Sequence, residues 1–342
     1  MEPTLSRNDS RIYLDHAATT PMRPEAVAAV IAGMARWSNP SSPHAEGRAA
    51  RAALEDARTR IAVALGWPHH VILTSGASES AALALHGRQG VAVAPVEHDA
   101  VLRAAEQPVM LHVDEGGIVE EAVGTSIALQ SANSETGVLQ AFAPGLRIAD
   151  CSQTAGKLPL PEADLIIVSA HKLGGPPGIG ALLVRDLGLL DPTGGQERGY
   201  RGGTENLPGA LGFAAALEAP RDWFDGMADL RATLDAAILA DGGDIVAQNS
   251  PRIPTIASYR MPGVSSAAQL IRLDMAGFAV SAGSACSSGS MRPSHVLAAM
   301  GYTPEAAAEV VRVSFGWTTT PDDVAKFADA WTRIATDVRR AA

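Results

Sequence analysis

Asp164-Leu165-Ile166-Ile167-Val168-Ser169-Ala170-His171-Lys172 is the stretch on which the fold turns. A short apolar run bounded by polar residues, and rich in β-branched side chains, predicts a buried strand over residues 165–169. That strand delivers His171 and Lys172 to its carboxyl end. An amine placed there can hold a carbonyl compound as a Schiff base. Lys172 is one of three lysines in the chain. Lys157 follows Gly156 in an expected turn and Lys326 falls on an expected surface helix, so elimination favours Lys172. Burial beside His171 would lower its pKa. The competing reading is a lysine paired with a carboxylate near the surface.

Outward from this run, short apolar segments recur at residues 71–74, 91–94, 127–131, 146–149 and 181–184. Amphipathic stretches at 24–34, 45–65 and 79–86 read as helices. The alternation predicts an α/β fold with a mainly parallel sheet covered by helices. Ligands gather at the carboxyl ends of such strands. Here those ends lead to Ser75-Gly76-Ala77-Ser78-Glu79, Glu97-His98, Asn133-Ser134-Glu135, Asp150-Cys151-Ser152-Gln153 and His171-Lys172. Five polar strand ends would share one crevice. Beyond about residue 220 the pattern changes to a helix at 223–240, strands at 255–259, 279–281 and 311–315, and a helix at 322–341. A large domain over 16–220 and a smaller α+β domain from 1–15 with 221–342 are expected.

The chain has 342 residues, beyond the size at which one core keeps growing. A formal net charge of -10 argues against nonspecific nucleic-acid binding. No apolar run is long enough to suggest a membrane span, and no export signal is visible at Met1-Glu2-Pro3-Thr4. Two cysteines cannot build a disulfide framework, so a cytoplasmic setting is expected. No C-x-x-C or H-x-x-x-H spacing occurs, and no structural metal is expected.

Several residues carry chemistry. Gly76, Ala77 and Ser78 open a helix after a strand, where free N–H groups and the dipole can bind phosphate; plain N-capping is the blander reading. Asp150 could hold a proton on a heterocyclic nitrogen, or be a turn aspartate. His98 could stack on a flat ring or move protons, or be structural. Arg312, in Val311-Arg312-Val313-Ser314, could clamp a carboxylate or face solvent. Cys286 lies among small residues, Ser284-Ala285-Cys286-Ser287-Ser288-Gly289, and such surroundings suit a nucleophilic thiolate. Cys151 comes after a strand and could simply pack.

Together these residues resemble the NifS/IscS-type cysteine desulfurases, within the class V aminotransferases and the fold-type I pyridoxal 5'-phosphate (PLP) enzymes. The resemblance runs along most of the chain. It includes Leu14-Asp15-His16-Ala17-Ala18-Thr19-Thr20-Pro21, Asn39-Pro40-Ser41-Ser42, Thr74-Ser75-Gly76-Ala77 and Glu97-His98. It continues through Ser169-Ala170-His171-Lys172, Gly195-Gln196-Glu197-Arg198, Arg201-Gly202-Gly203-Thr204-Glu205-Asn206, Ser284-Ala285-Cys286-Ser287-Ser288-Gly289 and Pro293-Ser294-His295-Val296-Leu297. It implies that Lys172 holds PLP, His98 stacks on the ring, Asp150 binds the pyridine nitrogen and Gln153 the phenolic oxygen. Ser78, Ser169 and His171, with the backbone near Gly76 and Ala77, would form the phosphate cup. Thr204 would reach the phosphate of a second subunit, which implies a homodimer. Arg312, with Asn133 and Ser134 nearby, would bind the carboxylate of L-cysteine. Sulfur would pass to Cys286 as a persulfide, and then to an acceptor such as an iron–sulfur scaffold or a tRNA-thiolation enzyme.

Two departures stand out. The family has two adjacent asparagines where this chain has Asn133-Ser134, and the stretches 98–131 and 137–150 are short, although parallel strands need a crossover. The chain ends soon after the 322–341 helix, which leaves scaffold docking open. Two other readings remain: a selenocysteine lyase or other class V PLP enzyme in which Cys286 accepts no sulfur, and a non-catalytic sulfur-transfer partner.

Overall fold

A computed structural model describes residues 11–120, 126–142, 145–283 and 293–341. In chain order its strands are β1 (Ile12–Tyr13), β2 (His70–Thr74), β3 (Ala92–Val93), β4 (Val109–Met110), β5 (Ile127–Gln130), β6 (Arg147–Asp150), β7 (Leu165–Ser169), β8 (Gly180–Val184), β9 (Asp244–Ile245), β10 (Ile256–Arg260), β11 (Phe278–Ala279) and β12 (Val310–Ser314). The large sheet has the order β2-β8-β7-β6-β5-β3-β4. All of its pairings are parallel except those of β8, which runs antiparallel to β2 and β7. β7 is buried along its whole length, as its unbroken apolar run requires in a sheet covered on both faces.

The helices Ala45–Ala64 and Leu207–Glu218 cover one face of this sheet, and Ala77–Leu85 covers the other. Small residues let them close in. Gly212 in Leu207–Glu218 has Val30 of the Pro24–Met34 helix so near that a Cβ there would come within 2.5 Å of it. A second sheet, β12-β10-β9, and the parallel pair β1-β11 pack with the helices Met227–Ala240, Ser266–Met275 and Pro321–Ala341 around Tyr259, Phe278, Phe327 and Trp331. The N-terminal β1 thus pairs with an element more than two hundred residues away.

The expected elements are present with small shifts at their ends. The stretch expected as one helix over 223–240 is divided: a single turn, Asp222–Phe224, precedes Met227–Ala240. The short crossover takes an unusual form. β5 and β6 pair in parallel register, Ile127 with Arg147, yet no helix joins them among the described residues. After β5 the chain turns at Asn133 and then leans on the segment before β10. Val138 bridges Arg252, and the Leu139 N–H donates to the Pro251 carbonyl at 2.8 Å. Val138 is fully buried with Val246, Val296 and Met300, so apolar contact there does what a crossover helix would otherwise do.

Candidate active site

The carboxyl ends of the parallel strands bring Lys172, Asp150 and His98 near one another. After β7 the chain makes a single turn, Ala170–Lys172, and the side chain of Lys172 reaches back under the N-terminal stretch. Its Nζ donates to the carbonyls of Ala17 at 2.6 Å and Ala18 at 2.8 Å. Its partners are carbonyls, so the reading of a surface lysine in an ion pair does not hold. Desolvation, and then the positive charge of Arg312, lower its pKa from 10.5 to about 8, while Asp150 and Asp15 oppose that shift. A useful fraction of the amine is therefore neutral, hence nucleophilic, near neutral pH.

Asp150 ends β6 and is half-buried. One carboxylate oxygen accepts the Ser152 N–H at 2.9 Å, a turn contact of the kind the blander reading expected. The charge nevertheless acts on His98, Lys172 and the buried Glu97. His98 caps the helix Asp99–Ala104: its Nδ1 accepts the Ala100 N–H at 3.1 Å. The ring is exposed in the single chain, yet desolvation still lowers its pKa, with Asp150 pulling the other way. Glu97 is fully buried, and desolvation raises its pKa well above 4.5.

The phosphate end is built on β2. Gly76, at φ +149, precedes the helix Ala77–Leu85, a backbone angle that favours glycine. It packs on Gly180 of β8 so closely that a Cβ on Gly180 would lie 2.7 Å from the Gly76 Cα. The first N–H groups of the helix have no acceptor within it. Ser78 is exposed at this end, and Ser169 is buried at the end of β7. His171 contacts the Thr19 hydroxyl through Nδ1 at 3.1 Å, and burial lowers its pKa to about 4. Thr204 is exposed. It comes shortly after Arg201, which pairs with Glu79 of the same helix at 3.0 Å. β2 itself is pinned by the buried Glu197, whose carboxylate accepts from Arg58 and from the Leu73 N–H at 2.9 Å.

Arg312 lies on β12 with its side chain 8% exposed, so it does not face solvent. Its Nη1 donates to the Ser134 carbonyl at 2.9 Å and its Nη2 to Asp15 at 2.8 Å. Asn133, expected near the substrate, is tied to its own loop. Its Oδ1 accepts from the Glu135 and Thr136 N–H groups, both at 2.9 Å, and its Nδ2 donates to the Val96 carbonyl at 3.0 Å. Both ends of the amide hold the loop after β5. Cys286 lies outside the described residues. Cys151 is fully buried, and burial drives its thiol up to about 12, away from nucleophilic use.

Two residues escaped the sequence reading. Lys157, set aside as a turn residue, donates to the Gln153 carbonyl at 2.9 Å, and desolvation lowers its pKa to about 7. Asp15 sits on Arg312. No local pattern announced either, although Asp15 stands within the Leu14–Pro21 stretch that carries part of the resemblance.

PLP fits the residues present. Gln153 is buried, with Nε2 donating to the Ala17 carbonyl at 3.0 Å and Oε1 left without a partner. Ser152 Oγ and Arg312 Nε are also buried and unpartnered. Unpaired buried groups are expensive unless something completes them. An amine, an aspartate at a strand end and a helix N-terminus are the donor set that a pyridine aldehyde carrying a phosphate requires.

Known proteins are similar to this chain along most of its length. The family described as Aminotransferase class-V matches residues 12–116 and 126–327. A cysteine desulfurase of Frankia sp. (strain EuIK1) is 35% identical over 390 residues, covering 96% of this chain and 92% of the relative. The solved NifS-like protein from Rickettsia africae ESF-5 superposes with a TM-score of 0.85 at 27% identity, over 95% of this chain and 99% of that one. A structure described as SspA in complex with cysteine superposes with a TM-score of 0.75 at 26% identity, over 89% and 98% of the two chains. This chain therefore belongs to the class V aminotransferase family, among its cysteine desulfurases of NifS/IscS type.

Proposed function

We propose that the chain is a PLP-dependent cysteine desulfurase that takes sulfur from L-cysteine, releases L-alanine and carries the sulfur on Cys286. The observation that bears most weight is the lowered Lys172 amine, set among Asp150, His98 and Arg312 in a chain aligned with cysteine desulfurases along nearly its whole length. PLP, when bound, supplies an electron sink conjugated to the α-carbon of the substrate.

Each residue then has a task. Lys172 would attach the cofactor, and its amine would accept the α-proton of the substrate. Asp150 would hold a proton at the ring nitrogen, and Gln153 would meet the phenolic oxygen. His98 would stack on the ring. Gly76, Ala77, Ser78, Ser169 and His171 hold the phosphate, with Thr204 supplied by a second copy of the chain. Arg312 takes the substrate carboxylate, with the Ser134 backbone fixing its position. The Cys286 thiolate attacks the substrate sulfur: an S–S bond forms, the C–S bond breaks, and its electron pair is protonated at carbon to leave alanine.

This reading includes a homodimer, a cytoplasmic setting, and a protein acceptor such as an iron–sulfur scaffold or a tRNA-thiolation enzyme. It divides the chain near residue 220, with the Cys286 segment in the smaller part. No described helix is long and apolar enough to cross a membrane.

The test is direct. Borohydride reduction of the PLP-loaded protein should leave the adduct on Lys172. In a separate, unreduced sample, L-cysteine should yield alanine together with one added sulfur on the peptide containing Cys286. Alanine without that sulfur, or turnover that survives Cys286→Ala, would instead favour a lyase in which Cys286 accepts nothing. A protein that takes up no PLP would favour a non-catalytic partner.

A further inference from the structure

Resting on that reading of Arg312, we propose that Asp15 is a positioning residue for recognition of the substrate carboxylate. It lies just after β1 and forms a single bridge with Ser314 of β12. Its Oδ1 accepts from Arg312 Nη2 at 2.8 Å, and its Oδ2 accepts from the Ser281 hydroxyl at 3.0 Å. Ser281 is joined to Arg312 a second time through the backbone: the Arg312 N–H donates to the Ser281 carbonyl at 2.7 Å, and the reverse bond is 3.3 Å. The Ser134 carbonyl takes Nη1 from another side. Two separate parts of the chain, Asp15 and Ser134, therefore hold one guanidinium, and Ser281 holds Asp15 in turn.

The clamp leaves one edge of the guanidinium without a hydrogen-bond partner. Arg312 Nε is buried and has no partner. A planar guanidinium recognises a carboxylate through two parallel N–H groups, so its worth depends on being held in one plane. Asp15 engages Nη2 through one oxygen only, and its other oxygen is tied to Ser281, so its geometry holds the guanidinium without closing the Nε edge. Asp15 also compensates a charge that would otherwise be nearly buried alone. Without it, Arg312 keeps a single carbonyl on Nη1 and can rotate.

The consequence is selective. Loss of Asp15 should weaken recognition of the carboxylate and leave recognition of the amine and thiol intact. L-cysteine and cysteamine differ by that carboxylate. Both would be titrated into the PLP-loaded protein in a Cys286→Ala background, so that equilibrium binding is read from the cofactor absorbance. For Asp15→Ala we expect the dissociation constant for L-cysteine to rise about tenfold and that for cysteamine to change less than about twofold. Asp15→Asn should fall between, and Asp15→Glu should recover part of the loss. With Cys286 present, KM for L-cysteine should rise more than kcat falls.

Equal weakening of both amines, or of neither, overturns the proposal. If Asp15→Ala does not fold, Ser281→Ala decides. It keeps the charge, removes one tie, and should shift the same ratio by about threefold in the same direction; an unchanged ratio overturns the proposal. Should the Cys286→Ala protein bind neither amine, the functional reading itself fails and takes this inference with it, an outcome distinct from a normal parent and an unchanged variant.

Discussion

Two lysines show how an identical side chain acquires different character from its surroundings. Lys172 and Lys157 are both lowered by burial, to about 8 and about 7. The former stands at a strand end beside Arg312 and Asp150. The latter holds the Gln153 carbonyl. The two cysteines make a similar contrast. Cys151 is sealed in the core and its thiol is pushed up to about 12. We therefore expect Cys151→Ala to retain alanine formation and persulfide labelling, and Cys286→Ala to lose the persulfide, as read by mass spectrometry of the two peptides.

At the scale of elements, the site depends on two supports. Glu197 ties β2 to the Ala45–Ala64 helix by accepting from Arg58 through both oxygens and from Leu73. Replacing Glu197 by Ala leaves the buried Arg58 with Glu55 and the Val71 carbonyl alone and the Leu73 N–H without its acceptor, which should cost about 1–3 kcal/mol in denaturant unfolding. The variant should also weaken phosphate binding, because β2 leads into Gly76. Asn133 secures the loop between β5 and β6, where no described helix stands. Asn133→Ala should cost about 1–3 kcal/mol, since the Glu135 and Thr136 N–H groups lose their acceptor. If Asn133 also touches substrate, KM for L-cysteine should rise as well; a stability loss with KM unchanged would assign it to the loop alone.

For the molecule as a whole, the lowered lysines set a pH dependence. Between the folded pKa and 10.5 the unfolded chain keeps a proton that the folded chain has lost. Stability of the cofactor-free protein should therefore rise with pH, from about 7 for Lys157 and from about 8 for Lys172, as far as about pH 9, above which the raised Cys151 thiol adds the opposite slope. Below both folded values each amine is protonated in either state and adds no slope. The rise is at most about 1.4 kcal/mol per pH unit for each amine. Lys157→Met should be more stable than the parent at pH 7 and should flatten the rise, as measured by urea unfolding at several pH values.

The strands, their polar ends and the place of Lys172 at one of them were legible in the chain because they arise from local pattern: short apolar runs make strands, and the residues just beyond a run sit at the strand's end. The resemblance of the Leu14–Pro21, Ser169–Lys172 and Ser284–Gly289 stretches supplied the family. Partnership between distant residues was not legible. Asp15 and Arg312 are separated by almost the whole chain, and the burial of Lys157 depends on the elements packed over its turn. A sequence states which groups exist and which neighbours share a strand or helix. Charge pairing, desolvation and the filling of a missing crossover arise only when remote segments exclude water together, and so the tertiary structure alone decided them.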